Sequence, residues 1–187
     1  MCCRINTPIL QAGRTMHDVN PIVTHLKKAH ADFIAACQEV PQNRWRNSPG
    51  GGAWSAGEVV AHLIQVEQRI TSEAAKMLRE APRPVPFWKR LHLPVSLAEN
   101  RGIKAKTPVP LDEGLVKEKD EMLAKFTGQR DRSVAMLLSN GRTDLSAYRM
   151  PHPFFGSLHF YDWFRMLAYH ETRHGKQIRE IVGSFRK

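Results

Sequence analysis

A bundle of four helices is the fold the sequence predicts, and three features predict it. Apolar residues recur at helical spacing in four separate stretches, while no segment sustains the period-2 alternation of a strand. Two of those stretches open with recognisable helix-start signals. Proline-rich or turn-rich segments separate them. With 187 residues the chain suits a single domain spanning residues 1–187, with 1–18 as a mobile N-terminal tail, and can bury a core without cross-links.

The first helix opens with Asn20 as N-cap and Pro21 at the first helical position. Val23, Leu26, His30, Phe33, Cys37 and Val40 follow at helical spacing, and Pro41 marks the end. Residues 47–52 are rich in turn formers. The second helix starts at a capping box, Ser55-Ala56-Gly57-Glu58, with Trp54 and Val59 placed as a hydrophobic staple. Its apolar stripe runs through His62, Leu63, Val66, Ile70, Ala74 and Met77, which puts His62 on the inward face.

A long basic connection follows, irregular because of Pro82, Pro84, Pro86 and Pro94, with a short helix expected near residues 91–100. The third helix is expected from Asp112 to Asn140, with Gly141 as its stop and Gly128 as a point of bending or interruption. Leu115, Met122, Phe126, Val134, Leu137 and Leu138 are its predicted inward positions. The fourth helix is expected to begin between Ser157 and His159, after a turn over residues 151–156. It continues through Trp163, Leu167, His170, His174, Ile178 and Ile181 to about Gly183.

Composition narrows the partners. No apolar run approaches the ~18 residues of a membrane span, and the N-terminus lacks a signal peptide's apolar stretch. A cytoplasmic protein without a membrane partner is expected. The three cysteines do not form a disulfide framework: Cys2 and Cys3 are adjacent, and Cys37 sits among apolar neighbours. The formal net charge of +10 is concentrated in Lys76, Arg79, Arg83, Lys89, Arg90, Arg101, Lys104 and Lys106. No zinc finger, RRM signature or aromatic-interleaved basic strand accompanies it, so nucleic acid is not the expected partner. A solvated basic loop, or contact with an anionic small molecule or lipid, accounts for the charge.

The chemistry concentrates in histidines. His170 and His174 lie four residues apart, so their rings share one helix face, and that face also carries Trp163 and Leu167. One inward histidine is usually a satisfied core residue. Two, with His62 inward on another helix, are hard to satisfy without a shared partner, and a divalent metal is such a partner. The segment His170-Glu171-Thr172-Arg173-His174 also spells the zincin motif H-E-x-x-H. A third zincin histidine six residues beyond His174 is missing, since that position is Glu180.

Trp54-Ser55 leading to His62, then Phe155-Gly156-Ser157-Leu158, Asp162-Trp163 and His170-Glu171-x-Arg173-His174-x-x-Gln177-Ile178, resembles the DinB-like superfamily of four-helix metalloproteins. The resemblance implies a divalent ion, zinc or nickel, held by His62, His170 and His174. It also implies a metal-dependent activity. Members similar in these motifs include transferases of low-molecular-weight thiols such as bacillithiol, mycothiol or glutathione, and others named as metal-dependent hydrolases. Homodimers are frequent in the family, so a homodimer acting on a small, anionic substrate is expected.

Glu171 and Arg173 flank the two histidines on the helical wheel, beside the site. Each reads as an ion-pair residue, with a general-base role for Glu171 as the alternative. His17, His25, His92, His152 and His159 read as surface or capping residues, and His30 as one whose helix face points toward the metal. Trp45, Trp54, Trp88 and Trp163 read as core or staple residues. The competing functions are a metal-dependent enzyme, a non-catalytic metal- or ligand-binding bundle, and a DNA-associated stress-response protein.

Overall fold

The computed structural model describes residues 17–102, 110–111 and 113–185. The tail, with Cys2 and Cys3, and Lys104, Lys106 and Asp112 fall outside them. Among the described residues four α-helices dominate: α1 (Asn20–Gln38), α2 (Ala56–Met77), α3 (Lys119–Ser139) and α4 (Phe160–Ser184). No helix among them is long and apolar enough to cross a membrane.

The helix starts show what the local sequence controls. Ser55 and Glu58 form the reciprocal capping box, with Ser55 N–H donating to Glu58 Oε2 at 2.7 Å and Glu58 N–H donating to Ser55 Oγ at 3.3 Å. Ser55→Ala is therefore expected to lower stability by about 1 kcal/mol, read by chemical denaturation. At α1 the cap falls one residue earlier than expected: Val19 is the N-cap, and the Asp18 carboxylate accepts from Asn20 N–H at 3.0 Å. At α4 the cap is His159, whose Nδ1 accepts from Asp162 N–H at 3.2 Å.

The third helix differs from expectation in three ways. It starts at Lys119, after a separate 3-10 turn over Glu113–Leu115 that packs Leu115 against α2's end of the core. Leu138 is 52% exposed, because Val134 and Leu137 already occupy the inward stripe and the next residue turns outward. Gly128 neither ends nor interrupts it. Elsewhere, the expected short helix is a 3-10 turn over Val95–Glu99. Trp88, expected as a core or staple residue, is 61% exposed, with the Phe87 ring beside it and none of the described residues burying it.

Residues 149–159 hold an element the sequence did not announce. A hairpin pairs β1 (Arg149–His152) antiparallel with β2 (Gly156–His159), in the register Met150↔Leu158 and Pro151↔Ser157. Its strands are four residues each and contain a proline and two histidines, too short for an alternating pattern to register. Gly156, at φ +87, closes the turn and forms a bridge with His92 of the long connection.

The core has two halves. One gathers residues 19–29 of α1, Ile70 and Ala74 of α2, Val134 and Leu137 of α3, and residues 160–168 of α4. The other gathers Phe33, Ala36 and Cys37 of α1, residues 56–64 of α2, Met122 to Phe126 of α3, and Ile178 to Val182 of α4. The N-terminal halves of α1 and α4 thus share one end of the bundle with the C-terminal halves of α2 and α3. It follows that α1 runs parallel to α4, and α2 parallel to α3, with the pairs opposed. Packing is closest within these pairs, and α2 also meets α4. Parallel neighbours need a crossover: α2 ends at one end of the bundle and α3 begins at the other. Residues 78–118 span that length, with Val95 in the first half-core and Leu111 and Leu115 against the second.

Between the halves lies a polar layer to which every helix contributes: His30 of α1, Glu67 and Thr71 of α2, Gln129, Arg130 and Ser133 of α3, and His170, Glu171 and His174 of α4. A second structural polar contact sits at the end of α1. There the buried Lys119 Nζ donates to Val40 O at 2.7 Å and Gln38 O at 3.2 Å, satisfying carbonyls at the helix C-terminus.

Candidate metal centre

His62 projects from α2, and His170 and His174 from α4, toward one point at the edge of the polar layer. The α2 position is fixed from its N-terminus. Gly57 sits where an added Cβ would meet Val116 Cγ1 at 2.8 Å and Trp45 Nε1 at 3.0 Å, so only glycine lets the helix start pack this closely. Trp54 lies with its ring centroid 5.0 Å from that of His62.

The three rings present like atoms to each other. His170 Nε2 lies 3.4 Å from His62 Nε2 and 3.1 Å from His174 Nε2. One ligand atom from each residue falls within 4.8 Å of the others. A tetrahedral ion bound at 2.0–2.1 Å sets its nitrogens about 3.3 Å apart, and these spacings match. His174 Nδ1 donates to Gln177 Oε1 at 2.8 Å, which directs the lone pair of Nε2 into the cluster. The three histidines can hold a divalent metal ion. Gln177 is the site residue whose role sequence reasoning missed; its place three residues after His174, one turn on, is the signal that would have found it.

Burial keeps the three rings neutral, as ligation requires. It pushes His62 down to about 4 and His174 to about 3, and holds His170 well below its ordinary value with help from its two neighbours. Unfolded, the same groups titrate near 6.5. As pH falls below 6.5 the unfolded chain takes up protons that the folded chain refuses, so stability falls. The loss is about 1.4 kcal/mol per pH unit per histidine, and for His62 it stops below about 4. Metal-free protein should therefore show a steep loss of thermal stability between pH 6.5 and 4, and His62→Phe should flatten it.

Glu171 lies outside the cluster. Its Oε2 takes an ion pair from Arg130 of α3 at 2.7 Å and its Oε1 lies 2.9 Å from His30 Nδ1. The same Arg130 Nη2 reaches Glu67 Oε2 at 3.0 Å, and Glu67 Oε1 accepts from Ser133 Oγ. His30 thus reaches the polar layer but joins Glu171, not the three histidines. Arg173 contacts the carbonyl oxygen of Asn100 in the long connection. Among the other histidines, His152 is half-buried against Trp163, at 5.0 Å between ring centroids. His92 and His159 both reach Asp162, and His17 stacks on Tyr161 at 3.8 Å.

A helical bundle that converges three neutral imidazoles at its waist defines a candidate metalloprotein. The chain belongs to the DinB superfamily, whose sequence model matches residues 25–178. It is also similar to the uncharacterized protein YuaE of Bacillus subtilis (strain 168), with 29% identity over 134 residues, 71% of this chain and 80% of that protein. No solved structure matches the chain.

Proposed function

We propose that the protein is a metal-dependent enzyme that transfers a low-molecular-weight thiol to an electrophile, with a zinc or nickel ion held by His62, His170 and His174. The observation that carries this reading is the Nε2 spacing of 3.1 and 3.4 Å, with His174 oriented by Gln177. Three protein ligands leave a position open, and a divalent ion there lowers the pKa of a thiol or water that occupies it.

The surrounding residues favour a thiol over water. Water attack is helped by a base in reach, but both oxygens of Glu171 are engaged by Arg130 and His30. No carboxylate joins the histidine cluster among the described residues. A thiol starts from a pKa of about 8.5 against about 15.7 for water, so an ion at the open position would release its proton to solvent without a nearby base. Arg101, itself paired with Glu180, stands close enough to Arg173 on this flank to disfavour the charge of Arg173, and Arg101 Nη1 lies 3.5 Å from Gln177 Oε1. That pair suits a small anionic thiol or substrate.

Cobalt substitution tests the reading. Adding bacillithiol, mycothiol or glutathione to the cobalt protein should produce a sulfur-to-cobalt charge-transfer band, and the same thiol should support turnover. If no thiol perturbs the spectrum while Glu171→Gln eliminates hydrolysis of a test ester, the activity is hydrolysis with Glu171 as base.

A further inference from the structure

Outside the three-histidine cluster, the long connection and the hairpin build a face with two properties together. Phe87 (75%), Leu91 (78%), Trp88, Leu93 and Phe154 are all largely exposed, with the Phe87 and Trp88 rings 5.3 Å apart. They form one neighbourhood, because Leu93 N–H donates to Phe155 O and Arg149 Nη2 donates to Arg90 O. Soluble proteins rarely leave so many large apolar side chains uncovered in one place.

Beside them is a cavity of about 250 Å³ lined by Arg83, Val85, Arg90, Ser146 and Arg149, with prolines and an alanine and no acidic side chain. Arg149 is held there by its bonds to Arg90 O at 2.9 Å and Ser157 O at 2.7 Å, while its buried Nε has no partner. Arg90 donates through Nε to Val85 O, and its charge opposes that of Arg149. Arg83 pairs with Glu80 at 3.0 Å, but both are exposed, so water competes for the pair. The opposing charge that Arg149 feels is Asp162, already shared among His92, His159 and Arg165. The cavity therefore concentrates positive charge that an anion would offset.

We propose that this face contacts an anionic phospholipid surface, with a lipid phosphate in the arginine cavity and Phe87, Trp88 and Leu91 in the boundary between headgroups and acyl chains. Charge complementarity favours this occupant: the formal net charge is +10 and the cavity is bordered by arginines. Aromatic and leucine side chains beside arginines are the composition that interfacial segments use. A second copy fits less well, because a two-fold contact would bring the same arginines against themselves.

The test is flotation of the full chain with vesicles of phosphatidylcholine alone and of phosphatidylcholine with phosphatidylglycerol. Binding is expected only to the mixed vesicles. Arg83→Ser with Arg90→Ser should weaken it about fivefold per arginine. Trp88→Ser with Leu91→Ser should weaken it roughly tenfold or more. Lys27→Ser with Lys125→Ser, which removes equal charge from α1 and α3, should weaken it less than the arginine pair does. Circular dichroism checks that each variant folds. Equal loss in the lysine and arginine pairs, or full binding by the Trp88/Leu91 variant, overturns the proposal. So does the absence of vesicle binding, whether inorganic phosphate binds by calorimetry or the Trp88/Leu91 variant turns a dimer into a monomer.

Discussion

His170→Ala is expected to lose divalent-metal affinity by more than a hundredfold and thiol transfer with it. His170 is the hub of the cluster, with its Nε2 within 3.4 Å of both other ring nitrogens. Removing it leaves two nitrogens on different helices and no substitute donor, since Glu171 is occupied by Arg130 and His30. Loss of an outer partner costs only 10–100-fold, and Gln177→Ala, which frees the His174 ring to rotate, should fall in that lower range. Metal content by mass spectrometry after dialysis, with isothermal titration of the refilled sites, separates the two variants. Equal metal content in His170→Ala and wild type would remove the site.

Arg130→Met is expected to destabilise the fold by about 3–5 kcal/mol, the largest effect on stability of any single change here. The guanidinium is buried and serves two buried carboxylates through one nitrogen, at 3.0 Å to Glu67 and 2.7 Å to Glu171. Without it both carboxylates stay in the interior and lose the guanidinium they share. Glu67 is already pushed up by burial and held back mainly by Arg130, so its folded pKa should rise further in the variant. A raised folded value means the deficit is largest at neutral pH and narrows as acidification protonates the group. Adding Glu67→Gln should recover part of the loss. Urea denaturation at pH 7 and pH 5.5 reads both effects.

The convergence of the three histidines was legible because its signals are local. Spacing of four on one helix, and a histidine in the apolar stripe of another, survive any detail of tertiary packing. The capping box of α2 was legible for the same reason. The start of α3 was not: its N-cap, Glu118, makes no side-chain cap, and the helix is anchored by Lys119 reaching α1's carbonyls, a contact of separation 79 and 81 in the chain. The buried ion network left a readable trace. Glu67 interrupts α2's inward stripe between Ile64 and Ile70, and Arg130 interrupts α3's between Phe126 and Val134. A charged residue at an inward position asks for a partner, and here each supplies the other's. The length of the basic connection was visible in sequence, whereas its cause, the parallel packing of α2 and α3, was not.

The polar layer between the half-cores also sets how the helices align along their axes. Apolar packing alone tolerates a helix sliding past its neighbours, since one leucine replaces another at nearly equal cost. Each helix here carries hydrocarbon above and below a short polar stretch. A slip of one turn, about 5.4 Å, would place Arg130 or Glu171 in a half-core and an aliphatic side chain among the charges. The layer acts as a detent, as a single polar residue does in a coiled-coil seam. Because His62 and His170 stand 108 positions apart in the chain, on separate helices, the accuracy of their meeting is inherited from that alignment. Substitutions in the layer are then felt at the three-histidine cluster as a shift in axial position between α2 and α4, even where no histidine is touched.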